Sequence, residues 1–122
     1  MIIGTADIFK NAALAIYAYE HHGTCDTEAI GQAIVATTQL ETDVAELGKH
    51  LRTAYENLYG NVKDGLGILE QELAEERKLL ERIRDSEKLT DRELARVTSF
   101  CSEIWVQLRL AEQGLRPHRV TH

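Results

Sequence analysis

The sequence predicts an all-α protein: an up-down bundle of four helices, one of them long and coiled-coil-like, that assembles as a dimer. Three observations predict this. Apolar residues recur in steps of three and four through four separate segments, the spacing that gathers them on one helix face. Thr90-Asp91-Arg92-Glu93 has the form of a capping box, with Leu89 and Leu94 where a hydrophobic staple needs them. No stretch has the character of a strand, which also removes the contexts in which phosphate-binding loops occur.

Residues 6–22 read as the first helix. Thr5 is placed as its N-cap, and Asp7 lies in the first turn, where the helix dipole favours an acid. Ile8, Phe9, Ala12, Ala13 and Ile16 follow at helical spacing, and Gly23 is the expected left-handed stop. Met1-Ile2-Ile3 is apolar without a helical role and is expected to pack on a neighbour or on a second copy.

The second helix is predicted over 27–59. Ile30, Ala33, Thr37, Leu40, Val44, Leu47, Leu51, Ala54 and Leu58 alternate steps of three and four without a slip, the pattern of a coiled-coil seam. At 1.5 Å per residue this helix is about 50 Å long. Gly48 inside it predicts a close contact or a slight bend. Residues 60–67 hold three of the eight glycines and are read as a turn. The rival reading is one continuous helix from 27 to 85.

Residues 62–85 are the third helix. Val62, Leu66, Leu69, Leu73, Leu80 and Ile83 form its seam, and Glu76 occupies a slot that should be apolar. Arg77 and Glu81 stand one turn apart on its charged face. The fourth helix spans 91–113, with Val97, Cys101, Ile104, Leu108 and Ala111 in phase and Gly114 as its stop. Residues 1–114 thus read as one helical-bundle domain and 115–122 as a mobile basic tail. The first helix, at about 26 Å, is half the length of the second. One end of the long seam is left uncovered in a monomer, and this predicts a homodimer.

Composition narrows the function classes. A chain of 122 residues is one domain and buries a real core without staples. Cys25 and Cys101 have neither CxxC spacing nor metal-ribbon partners, which predicts reduced thiols in a cytoplasmic protein. The longest apolar run, residues 12–18, is far short of the ~20 residues of a membrane span. A net charge of −6 disfavours direct binding to a phosphate backbone and favours a basic partner.

Catalytic and metal signatures are weak. Glu20, His21, His22 and Cys25 crowd one turn, but no second Cys/His pair completes a zinc tetrahedron. Histidine phosphotransfer domains are four-helix bundles of this size whose acceptor histidine is followed by a Lys-Gly pair. Here Lys49 precedes His50 and no glycine follows, so His50 is not read as an acceptor. Asp43/Glu46 and Glu72/Glu75 are two acid pairs at i, i+3, as in all-α nucleotide pyrophosphohydrolases that hold magnesium between facing helices. Basic and polar residues to grip a nucleotide are not evident. No metal or cofactor is therefore expected.

The aromatic residues point elsewhere. Tyr55 and Tyr59 stand one turn apart at the end of the second helix, and Tyr and Trp dominate binding hot spots. Trp105 is read as core-edge packing. The leading expectation is a non-enzymatic protein-binding module: a small acidic inhibitor or adaptor that occludes a basic, nucleic-acid-binding protein. Asp43, Glu46, Glu70, Glu72, Glu75 and Glu76 are its expected docking acids, with Tyr55 and Tyr59 beside them. Such docking is salt-sensitive and weakened by reversing Glu72 and Glu75. The alternatives are a carboxylate-based Mg/Mn enzyme and a purely structural homo-oligomer.

Overall fold

The computed structural model describes residues 4–114, and these form four helices and no strand. They are α1 (Thr5–His22), α2 (Thr27–Ala54), α3 (Glu56–Arg84) and α4 (Asp91–Gly114). The segments 1–3 and 115–122, expected to be a packing N-terminus and a mobile tail, lie outside the described residues.

Helix ends follow local chemistry, with two departures from expectation: Gly4 rather than Thr5 caps α1, and α4 runs through Gly114 instead of stopping before it. Gly4, not Thr5, is the N-cap of α1: its carbonyl accepts from the Ile8 N–H at 3.2 Å, and Thr5 already has helical geometry. Gly23 closes α1 at φ 69°, where a side chain would be strained. Asp26 caps α2 by accepting from the Ala29 N–H at 3.1 Å. The capping box of α4 is reciprocal. The Glu93 N–H donates to Thr90 Oγ1 at 3.1 Å, and the Thr90 N–H donates to Glu93 Oε1 at 2.9 Å. Leu89 and Leu94 are both buried, as the staple requires.

The larger correction concerns the middle of the chain. α2 ends at Ala54, five residues earlier than the spacing suggested, and the break is the single residue Tyr55 at φ −137°, ψ 61°. Neither the glycine-rich turn nor the continuous helix exists: Gly60, Gly65 and Gly67 are all inside α3. The chain reverses at Tyr55, so that Gly48 faces Leu66 and Glu41 meets Arg77 Nε at 2.7 Å. The physical reason is register. Reversal at 55 sets Leu66 of α3 against Gly48 of α2 and leaves Leu40, Val44 and Leu51 of α2 and Tyr59, Val62 and Leu66 of α3 all half-buried. A turn at 60–67 would have spent Val62 and Leu66 on a loop. The result is two long helices of 28 and 29 residues rather than one.

α1 runs antiparallel to α4. Asp7 reaches Arg109 at 3.9 Å, Phe9 meets Phe100 edge-on at 6.0 Å, and the Tyr19 hydroxyl donates to the Glu87 carbonyl at 2.9 Å. This pair covers only the lower part of the α2–α3 hairpin. The core joins Phe9, Ala12 and Ile16 of α1 to Ile30, Ala33 and Thr37 of α2, Leu80 and Ile83 of α3, and Val97 and Cys101 of α4. From Thr38 to Glu72 no residue is buried. The upper hairpin is a two-helix arm about 25 Å long, at 1.5 Å per residue, whose lower end lies beside α1 and α4.

The α3–α4 corner carries a strained residue. Ser86 sits at φ 60°, donating its N–H to the Ile83 carbonyl while the Glu87 N–H reaches back to Arg82, the bonds of a Schellman stop. Ser86→Gly should raise the unfolding free energy by about 1 kcal/mol in urea titrations. Gly60 and Gly67 have open space around them and ordinary helical backbone, so replacing either by Ala should add about 0.5–1 kcal/mol. Thr90→Ala should cost about 1 kcal/mol through the lost cap.

Candidate functional site

The arm holds most of the residues expected to bind a partner. Asp43 and Glu46 on α2, and Glu70 and Glu72 on α3, are exposed near its base. Tyr55 forms the corner at the tip and is 56 % exposed, and Tyr59 lies in the first turn of α3. Tyr55 thus belongs to neither helix, and Tyr59 stands one turn further on, its N–H donating to the Tyr55 carbonyl at 2.9 Å. Tyr55 meets His50 edge-on with ring centres 5.8 Å apart, and the Arg52 guanidinium lies 6.0 Å from the Tyr59 ring centre.

Glu75 and Glu76 belong to a different environment. Arg96 of α4 grips both: its Nη2 donates to Glu75 Oε1 and its Nε to Glu76 Oε2, each at 2.7 Å. Glu76 is only 5 % exposed, and its second oxygen is buried without a hydrogen-bond partner. Burial pushes the Glu76 carboxyl above the usual carboxylate range, and the Arg96 bond pulls against that shift. The Arg96 bond holds Glu75 below that range. The slot that should be apolar is thus filled by an acid anchored from the neighbouring helix, and Glu76 is not a surface docking residue.

The acid pairs do not form a metal cradle. Asp43 accepts from Gln39 Nε2 at 2.9 Å and Glu75 is engaged by Arg96. The ligand-like cluster at the end of α1 is dispersed as well. The Cys25 thiol donates to the Ile83 carbonyl at 3.4 Å, and His21 stacks against Tyr17 at 4.1 Å. Among the described residues, no three Asp, Glu, His or Cys side chains gather in a way that could hold a metal ion. Cys25 and Cys101 are not bonded to each other, and burial pushes the Cys101 thiol up to about 12. No described helix is long and apolar enough to cross a membrane.

Two features were not visible from periodicity. One is a groove of about 770 Å³ along α2, with Ile8, Val35, Leu40 and Leu108 among its lining residues and Asp43 at its rim. Val35 stands off the helix-two seam, yet is 70 % exposed at this groove. An isolated valine off a seam gives no warning that two other helices will wall it in. The other is Trp105: it packs on the core edge as expected, but its buried Nε1–H has no hydrogen-bond partner and Lys10 lies 5.6 Å from the ring centre.

Comparisons of the chain with protein-family models, with curated proteins and with solved structures find no match.

The Glu75–Arg96–Glu76 cluster yields a prediction with a definite pH signature. A carboxyl raised in the folded state contributes stability at acidic pH that is lost as pH rises through its folded pKa. Arg96→Ala raises Glu76 further and leaves a buried carboxylate unpaired at neutral pH. The variant should lose about 1–3 kcal/mol at pH 7 and much less near pH 5, measured by urea unfolding across that range. A deficit independent of pH would show that Glu76 is not the group responsible.

Proposed function

We propose that this chain is a non-enzymatic interaction protein whose working element is the arm. The single observation that carries the reading is the shape of the molecule. A compact base buries the whole core, while some 25 Å of paired helix, by the 1.5 Å helical rise, projects with no buried residue. A projection of this length costs conformational entropy and contributes little to the core, and it presents rigid side chains to a second molecule.

Charge supports a basic protein as one partner. The lower arm carries Glu41, Asp43, Glu46, Glu70 and Glu72 with no base among its residues 38–47 and 65–72. A surface that binds nucleic acid through Lys and Arg finds in this array a substitute for phosphates. In this reading the chain acts by steric and electrostatic occlusion, as an inhibitor or adaptor.

The test is capture from nuclease-treated lysate of the native cell, comparing the wild type with the exposed pair Glu46→Lys/Glu72→Lys. Glu75 is unsuitable for reversal because it is tied to Arg96. The expected result is a stoichiometric basic protein with the wild type, lost at high salt and absent with the reversed variant. Retention by the reversed variant, or no such protein with either, would overturn this reading.

A further inference from the structure

The apolar pattern of the arm is a continuation of the core pattern. Ala33, Leu40, Leu47 and Ala54 recur every seven residues on α2, and Ile83, Glu76, Leu69 and Val62 do so on α3. In the base these positions are covered: Ala33 and Ile83 are fully buried, and Arg96 of α4 lies on Glu76. Further up, Leu47 and Leu69 at these positions are 48 % and 40 % exposed, while Leu40 and Val62 stay half-buried. Leu58, at the tip, is 49 % exposed. Among the described residues, α4 borders the hairpin up to the level of Asp43 and Glu72. Leu108 of α4 shares its groove with Leu40 and Asp43, while Ser99, Phe100 and Glu103 border Glu72 and Glu76.

Resting on the reading of the arm as a binding element, we propose that a second copy of this chain covers that face, its arm laid antiparallel to the first. Two observations select this occupant. The uncovered face needs two helices carrying the same apolar repeat, and the arm itself supplies them. Its footprint, about 25 Å long and two helix diameters of about 10 Å wide, is about 500 Å² on each copy and about 1,000 Å² in all, the threshold of a specific interface.

Charge then selects the orientation. Among the described residues, the lower arm holds four unpaired acids, Asp43, Glu46, Glu70 and Glu72, beside Glu41, which Arg77 neutralises, whereas the tip half, residues 48–64, has Lys49, Arg52 and Lys63 against Glu56 and Asp64. Parallel pairing stacks the two acidic halves on each other, which is repulsive. Antiparallel pairing sets each weakly basic tip beside the partner's acidic base. It also brings the partner's tip to the open end of the groove at Leu40 and Leu108. The paired arms keep a negative balance, so a basic protein can still dock on their flanks.

The pairing is tested by sedimentation equilibrium on the full chain, with Leu47→Glu and Leu69→Glu as probes. Both side chains are substantially exposed, so the variants should keep wild-type helicity by circular dichroism. The wild type should sediment as a dimer, and each variant should weaken dimerisation by about tenfold or more. A monomeric wild type, or a dimer indifferent to both changes, would overturn the pairing. Neither result bears on capture of a basic protein, so the two readings fail separately. Orientation is read from a spin label at exposed Asn57 in a Cys25→Ser background. Antiparallel arms place the two tips about 25 Å apart, the length of the arm. A separation near one interhelical distance, about 10 Å, would overturn the antiparallel arrangement.

Discussion

α2 and α3 carry the same apolar repeat, and the chain turns at Tyr55 so that the two stripes meet. That reversal constrains everything else. It sets Gly48 opposite Leu66 and Glu41 opposite Arg77, and it makes the hairpin longer than either helix that packs on it. α1, with 18 residues, cannot follow the hairpin to its tip, and α4 crosses toward α1 rather than tracking α3. The core is therefore confined to the lower part of the hairpin.

The same geometry explains the acid in the core. Glu76 occupies a heptad position that α4 covers, at a height where Arg96 can reach it. A leucine there would pack without needing a partner. The acid needs one, and its second oxygen still goes unpaired. Buried ion pairs of this kind contribute little net stability but are costly to break, so the cluster fixes how α3 and α4 meet more than it strengthens the fold. Arg82, bonded to Glu93 at 2.7 Å, makes a second tie between the same helices nearer their corner.

In the proposed reading, binding falls to the part of the molecule that holds no buried residue. The base has the buried residues, the caps and the ion pairs between helices, whereas the arm has half-exposed leucines, three outward-facing glycines and an uneven charge. An apolar repeat continued past the last covering helix is either wasted or met by another surface. Its acidic lower half and weakly basic tip differ enough to prescribe which way that surface lies.

Much of this was legible in the sequence because it depends on neighbours in the chain. The helical class, the α4 capping box, the Gly23 stop, the place of Glu76 in an apolar slot and the excess length of the seam all follow from residues within a turn or two of each other. The turn position did not, because glycine density is a local signal while the reversal at Tyr55 brings together residues far apart in the chain, Gly48 with Leu66 and Glu41 with Arg77. Likewise the sequence offered Glu70, Glu72, Glu75 and Glu76 together as docking acids. Only the approach of α4 separated the pair claimed by Arg96 from the pair left in solvent, since an arginine's reach across helices is a property of the assembled bundle.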